Sequence, residues 1–306
     1  MPGCARRPVI RPVLAVLAIG LISVAAGCGR PAGIDGDLTG GWRPMPEPVG
    51  WVPAAGTCHP GEYHVTGLMM EYQPVDCQLW HATETAHVGE FTGEAADRVT
   101  PPPEGSREWR EAYAVCDQAA ADYLGEDFRH GMLWLGVTVP SVAAWEGGAR
   151  WFRCELEPFD PHAGTFEERL GSLAGALEDE ADLRLSCYQA VTSEDDADVE
   201  EMRPRGCDEP HNSEFVGVWR GPDVPYPDRA GEDSARLVHD GCLERVAEYA
   251  DVPVDGNLEF RTGTIGFWMS EEEWDNGDRG LRCYLWLDRE LTESLQGAGT
   301  DGLPVR

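Results

Sequence analysis

The residues best equipped for chemistry occur twice in this chain. His81 and Glu84 follow Cys77 in the order C-x3-H-x2-E, and His211 and Glu214 follow Cys207 in the same order. A histidine and a carboxylate so placed can share a metal ion or act as a general base. His87 extends the first set to H-x2-E-x2-H. Against that chemistry, the order is not the H-E-x-x-H of helical zinc hydrolases. The second set has Phe or Val near the position of His87, and alternation along a strand places residues three apart on opposite faces. The preferred reading is structural hydrogen bonding just after a disulfide, with no metal, no cofactor and no catalytic residue assigned.

A second repeated block is S-x3-W-x2-G-x-R-x2-R-C. It is read as Ser141, Trp145, Gly148, Arg150, Arg153 and Cys154, then as Ser270, Trp274, Gly277, Arg279, Arg282 and Cys283. Trp145 with Arg150, and Trp274 with Arg279, have the flat and bidentate surfaces of binding hot spots. The same residues also suit a tight turn in which Ser caps, Trp fills the core and Gly bends the chain, and that reading is preferred. Glu194, Asp195, Asp196, Asp198, Glu200 and Glu201 could attract calcium, but they lack the D-x-D-x-D-G order and read as a solvated loop. Eleven tryptophans suit glycan stacking or, more simply, a core. No nucleophile elbow, phosphate loop or dinucleotide fingerprint is present.

The elements that must position these residues are marked by cysteines. Cys58, Cys77, Cys116 and Cys154 are 19, 39 and 38 positions apart; Cys187, Cys207, Cys242 and Cys283 are 20, 35 and 41 apart. Two matching quartets define an internal duplication, and in an oxidising compartment an even set reads as disulfides, each contributing about 2–4 kcal/mol. Each quartet permits three pairings; first with second and third with fourth is preferred, because the second bridge then pins a helix to the last strand. Segments 107–124 and 233–250 carry apolar residues at helical spacing, with Tyr123 and Tyr249 each seven positions after the third Cys. Leu124-Gly125 supplies a stop. Runs such as Arg205–Cys207, Phe215–Trp219 and Leu281–Leu287 read as strands. The expected fold class is α+β, two tandem small disulfide-bonded domains, each a short antiparallel sheet with one principal helix.

Arg6, Arg7 and Arg11 precede an uncharged apolar run from Val13 to Ala26. This is the order of a signal peptide, and the run is too short to span a bilayer, which takes about twenty apolar residues. It ends in Ala25-Ala26-Gly27-Cys28, similar to a bacterial lipobox, which makes Cys28 the expected lipid anchor. The resulting organisation is a signal peptide over 1–27, a flexible tether over 28–50, repeat one over 51–157, a linker over 158–182 with a short helix over 167–177, repeat two over 183–288 and a C-terminal tail over 289–306. A net charge of −31 and a pI near 4.4 argue against nucleic acid as a partner.

The order Cys, Cys-x-x-Pro-His-x-x-Glu, helical Cys and Trp-x-x-Gly-Asp-Arg before a last Cys resembles the actinobacterial septum formation family of exported proteins. The second copy fits closely through Pro210-His211 and Gly277-Asp278-Arg279; the first has Trp80 in place of Pro and Ala149 in place of Asp. The resemblance covers about residues 51–288. It implies a place in cell division or envelope assembly and supplies no enzyme activity, cofactor or catalytic residue. The expectation is an exported binding or scaffold protein on the outer face of the cytoplasmic membrane, anchored in the bilayer and engaging an envelope protein or cell-wall component. The alternatives are a metal-assisted cell-wall hydrolase using His81, Glu84 and His87, and a passive acidic module that binds cations.

Overall fold

Trp109, Ala112, Tyr113, Cys116, Ala120 and Leu124 recur at three- and four-residue spacing and form the buried stripe of helix α1, Arg107–Leu124. Ser106 starts it by accepting from Trp109 N–H, and Gly125, at φ 89°, ends it in the left-handed conformation that favours glycine. The computed structural model describes residues 50–179, 181–193, 199–226 and 231–306. The signal segment, Cys28, nearly all of the tether and residues 194–198 of the acidic stretch lie outside them.

Around α1 the first half builds β1 (Thr57–His59), β2 (Thr66–Gly67), β3 (Thr83–Glu90), β4 (Leu133–Pro140), β5 (Trp151–Asp160) and β6 (Thr165–Phe166), with α2 (Val142–Glu146) between β4 and β5 and α3 (Ala176–Asp179) after β6. The sheet order is β1-β3-β5-β4-β2, with β6 on β5. The second half builds β7 (Cys187–Thr192), β8 (Val199–Arg205), β9 (His211–Arg220), α4 (Glu232–Ala250), β10 (Gly263–Phe267), α5 (Glu271–Asn276), β11 (Gly280–Leu291) and α6 (Gly299–Gly302). Its sheet order is β10-β11-β9-β7-β8.

The duplication written in the cysteines is thus a duplication of topology. β1-β3-β5-β4 and β7-β9-β11-β10 have the same order, and each contains the same register shift, after Thr85 in β3 and after Phe215 in β9. The extra edge strands differ. β2 adds to β4 in the first half, as a parallel pair in otherwise antiparallel sheets, while β8 adds to β7 in the second. The bridges are Cys58–Cys77, Cys116–Cys154, Cys187–Cys207 and Cys242–Cys283. The second of each pair ties the principal helix to the central strand that carries the fourth Cys, β5 or β11.

The segments read as linker and tail are not loose. The helix expected over 167–177 is absent; the short helix there is Ala176–Asp179, and Leu173, Ala176 and Leu177 are buried in the first core. Leu291, Leu295 and Leu303 are buried in the second. Residues 50–306 form one compact unit.

What joins the halves is a buried cation. Arg129, fully buried, donates from Nε and Nη2 to Asp278 Oδ1 at 2.9 and 2.6 Å and from Nη1 to Asp117 and Asp127 at 2.6 and 3.0 Å. Arg220 closes the same two acids from the second half. A Cβ on Gly280 would sit 2.3 Å from Arg129 Nε, so glycine is required there; the first half carries Trp151 at the matching place. Arg282 adds hydrogen bonds to the carbonyls of Arg129, Gly131 and Leu133.

The outer face of the second sheet is covered in turn. Tyr188, Phe267 and Tyr284 surround the ring of His162, from the turn after β5, at 4.6, 4.8 and 5.4 Å. Burial lowers the His162 pKa to about 4, Arg282 adding to the effect and Asp160 opposing it.

Asp278→Ala leaves Arg129 with two acids instead of three and is expected to cost about 3 kcal/mol, read as a lower urea midpoint. The His162 shift carries a pH signature. Its folded pKa lies below its unfolded value, so the unfolded chain binds more protons between about 6.5 and 4, and stability falls as pH drops through that window. The loss from this residue is about 3 kcal/mol, and urea titrations at both pH values should show a shallower acid loss in His162→Phe.

Candidate functional site

Glu84 and Glu214 are fully buried carboxylates at the point where sheet, helix and a returning segment meet. Glu214 accepts from Tyr249 Oη at 2.7 Å, Ser294 Oγ at 2.8 Å and Leu295 N–H at 2.9 Å. Glu84 accepts from Tyr123 Oη, from Ser172 Oγ and from Leu173 N–H at 2.7 Å. Proximity to the carboxylates and burial keep both phenols protonated as donors, with the Tyr123 pKa pushed up to about 12, chiefly by burial.

The histidines complete each cluster. His211 Nε2 lies 3.2 Å from Glu214 Oε1 and His81 Nε2 lies 3.7 Å from Glu84 Oε2. Each Nδ1 donates to a carbonyl two residues back, Leu79 at 2.8 Å and Glu209 at 2.7 Å. The expectation that residues three apart would face opposite ways is therefore corrected. His81 precedes β3 and pairs with Arg169 through an isolated bridge. His211 opens β9, opposite Leu291, where the register with β11 has shifted.

The partners of the two glutamates include a repeat that the cysteine frame conceals. Ser172-Leu173-Ala174-Gly175-Ala176 and Ser294-Leu295-Gln296-Gly297-Ala298 share the order S-L-x-G-A. Gly175 N–H binds Tyr123 O and Gly297 N–H binds Tyr249 O, both at 2.8 Å, and both glycines have positive φ. Each half is closed by a strap of five residues that its buried Glu holds against its helix. These straps fall in the stretches read as linker and tail, which is why inspection of the copies alone passes over them.

The arrangement has little room for other chemistry. A carboxylate offers about four lone-pair sites; three donors meet each glutamate, and the imidazole facing it comes within 3.2 Å at Glu214 but stays 3.7 Å away at Glu84, where His81 Nε2 makes no hydrogen bond. The metal-spaced groupings among the described residues are Cys58, Cys77 and Glu84, and Cys187, His211 and Glu214. All three cysteines in them are disulfide-bonded and supply no thiolate. His87 joins neither grouping. In the acidic stretch, Glu200 and Glu201 lie on β8, and Glu201 pairs with Arg203 at 2.5 Å.

The tryptophan block builds the same turn twice. Ser141 and Ser270 cap α2 and α5, and Trp145 and Trp274 are buried, their indole N–H groups donating to Arg98 O and Val224 O at 2.8 Å. Arg150 and Arg279 stack on these rings at 4.1 and 4.3 Å and donate to the carbonyls of Trp145 and Trp274. Gly148 and Gly277 take φ of 97° and 114°. In the second half the turn also docks on α1: Asn276 accepts from Gly105 N–H at 2.7 Å and Glu273 accepts from Trp134 Nε1 at 2.6 Å. Asp278 accordingly serves the junction, and Ala149, at its place in the first half, has no junction to serve.

A mixed α+β chain of two matching sheets, each pinned to its helix by a disulfide, defines a class of cross-linked structural modules. The model of the septum formation family matches residues 55–283, and the chain belongs to that family, with a role in cell division or the cell envelope. No curated protein and no solved structure matches it. Among the described residues, no helix is long and apolar enough to cross a membrane.

Glu214→Ala strands one tyrosine, one serine and one amide donor in the interior and should lower stability by about 3 kcal/mol. The accompanying sign is faster hydrogen exchange at the Leu295 amide, the first donor released when the strap opens.

Proposed function

We propose that this chain is a lipid-anchored, non-catalytic binding or scaffold protein of the cell envelope, exported to the outer face of the cytoplasmic membrane and acting in septum or wall assembly. The observation that carries the reading is the burial of its repeated His–Glu clusters, in which each glutamate already meets three donors. The residues with the strongest chemical potential in the sequence, His81, Glu84, His211 and Glu214, are buried, and both glutamates are engaged in holding straps, so a cell-wall hydrolase built on them has no access to its substrate. Family membership, the signal-type N-terminus and the lipobox-like Ala25-Ala26-Gly27-Cys28 support the location. The acidic surface favours neutral or basic envelope partners over nucleic acid.

One compact unit with two sheets suits a scaffold, because partners gripped by its different faces are held close together. The experiment is intact and peptide-level mass spectrometry of the protein purified from its native membrane without reductant, with metals measured on the same sample. The expected result is lipid on Cys28, four disulfides and no stoichiometric metal. An unmodified Cys28 would remove the anchor, and one tightly held zinc per chain would return the hydrolase reading.

A further inference from the structure

The two halves use matching positions on the outer faces of their sheets in opposite ways. Arg153 and Arg282 each precede the fourth Cys. By strand register Glu155 matches Tyr284, Thr85 matches Phe215, His59 matches Tyr188 and Thr138 matches Phe267. In the second half these positions are aromatic and covered, and the Arg282 guanidinium is spent on three carbonyls of the first half. In the first half they are polar, and all but the buried Thr85 line an open cavity of about 300 Å³.

Arg153 stands in that cavity only partly engaged. Its guanidinium lies over the rings of Tyr72 and Trp151 at 5.7 and 5.9 Å, its Nε is 2.7 Å from Glu155 Oε1 but off the line of a hydrogen bond, and no hydrogen bond from its terminal amines occurs among the described residues. Glu155 is buried, accepts from Thr85 Oγ1 at 2.9 Å and has its pKa raised by burial. The loop over the cavity is fastened in advance. Tyr63 N–H donates to Glu157 at 2.6 Å, Tyr63 Oη donates to Val137 O at 2.7 Å, and Thr138 Oγ1 donates to His64 O at 2.7 Å. The Cys58–Cys77 bridge closes the loop at its base.

The charges select the ligand. One cation lies beside one buried acid, Glu62 and Glu71 stand exposed in the lining, and burial holds the His59 pKa at about 4, so its ring is neutral at physiological pH. A phosphate or carboxylate would be repelled by the acids, and a cation would meet Arg153. A hydroxyl both donates and accepts, so two adjacent hydroxyls fit a neighbouring Arg and Glu, and the half-buried Tyr72, packed against Trp51 and His59, adds an aromatic edge to the lining. The volume lies at the small end of ligand pockets, roughly 300–1,000 Å³.

We propose that this cavity of the first half is a saccharide-binding site, in which the terminal amines of Arg153 and the carboxyl of Glu155 bind adjacent hydroxyls of a neutral sugar ring. The assignment rests on the binding reading above and names its ligand class. The test is saturation-transfer NMR and calorimetry on the full-length protein in detergent with glucose, galactose, mannose and N-acetylglucosamine, using acetate and phosphate as ionic controls. At least one sugar is expected to bind at one per chain, and Arg153→Gln is expected to weaken it tenfold or more. Gln73→Trp, which sets a bulky ring at the exposed mouth away from the core, should do the same and guards against a folding defect in the first variant. Failure of all four sugars, displacement of a bound sugar by acetate or phosphate, or unchanged affinity in both variants would overturn the site. None of these results alters the mass of the lipidated chain, so the envelope reading fails or stands separately.

Discussion

A carboxylate removed from water costs several kcal/mol unless its lone pairs are met, and this chain buries one in each half where strand, helix and strap converge. Glu84 and Glu214 make that burial tolerable only when Tyr123 or Tyr249 arrives from the helix and a Ser-Leu pair arrives from the strap. The elements are therefore interdependent. The helix positions the phenol, a disulfide fixes the helix against the strand that carries the fourth Cys, and the strap that follows that strand returns to the glutamate. The repeated C-x3-H-x2-E order is the trace of this closure in the sequence.

The junction obeys the same rule with the sign reversed. Arg129 is a buried cation met by three acids and a tyrosine, and its strongest partner, Asp278, sits in the turn that the second half uses to end α5. Buried ion pairs are weak evidence for stability and better evidence for a specified arrangement. Three features here depend on the arrangement: Gly280 leaves the guanidinium its space, Arg282 reaches across, and His162 fills the aromatic face beyond. Two sheets joined by a flexible linker would need none of them.

Local signals made much of this visible in the sequence. Helical periodicity placed α1 over its full range because its buried stripe is continuous and its cap and stop are local. The cysteine spacing announced the duplication because disulfides constrain separation, though it left three pairings open until the geometry selected one. Reading residues 158–182 and 289–306 as linker and tail failed for a physical reason. A strap of five residues, held by hydrogen bonds to a distant glutamate, has no periodicity, and its meaning lies in a partner about ninety positions away for Ser172 and eighty for Ser294. Strict alternation separates His81 from Glu84 only in a regular strand, and at His81 the chain is still entering β3.

Duplication with divergence explains why the faces differ. Once the halves share a core topology, the outer face of each sheet is free of the constraint that fixes the inner one, because disulfide, helix and strap all lie on the helix side. In the second half that freedom went to aromatic residues and to Arg282, which bind the halves together. The first half cannot repeat the use, since a single junction satisfies both partners, and its matching positions stayed polar under a loop tied down by backbone and side-chain hydrogen bonds. A buried Glu155 beside a half-engaged Arg153 is costly as mere architecture: apolar residues would fill the space with less desolvation, as Tyr284 does in the other half. Retaining the pair in an open cavity is accounted for when something in solution completes its hydrogen bonds.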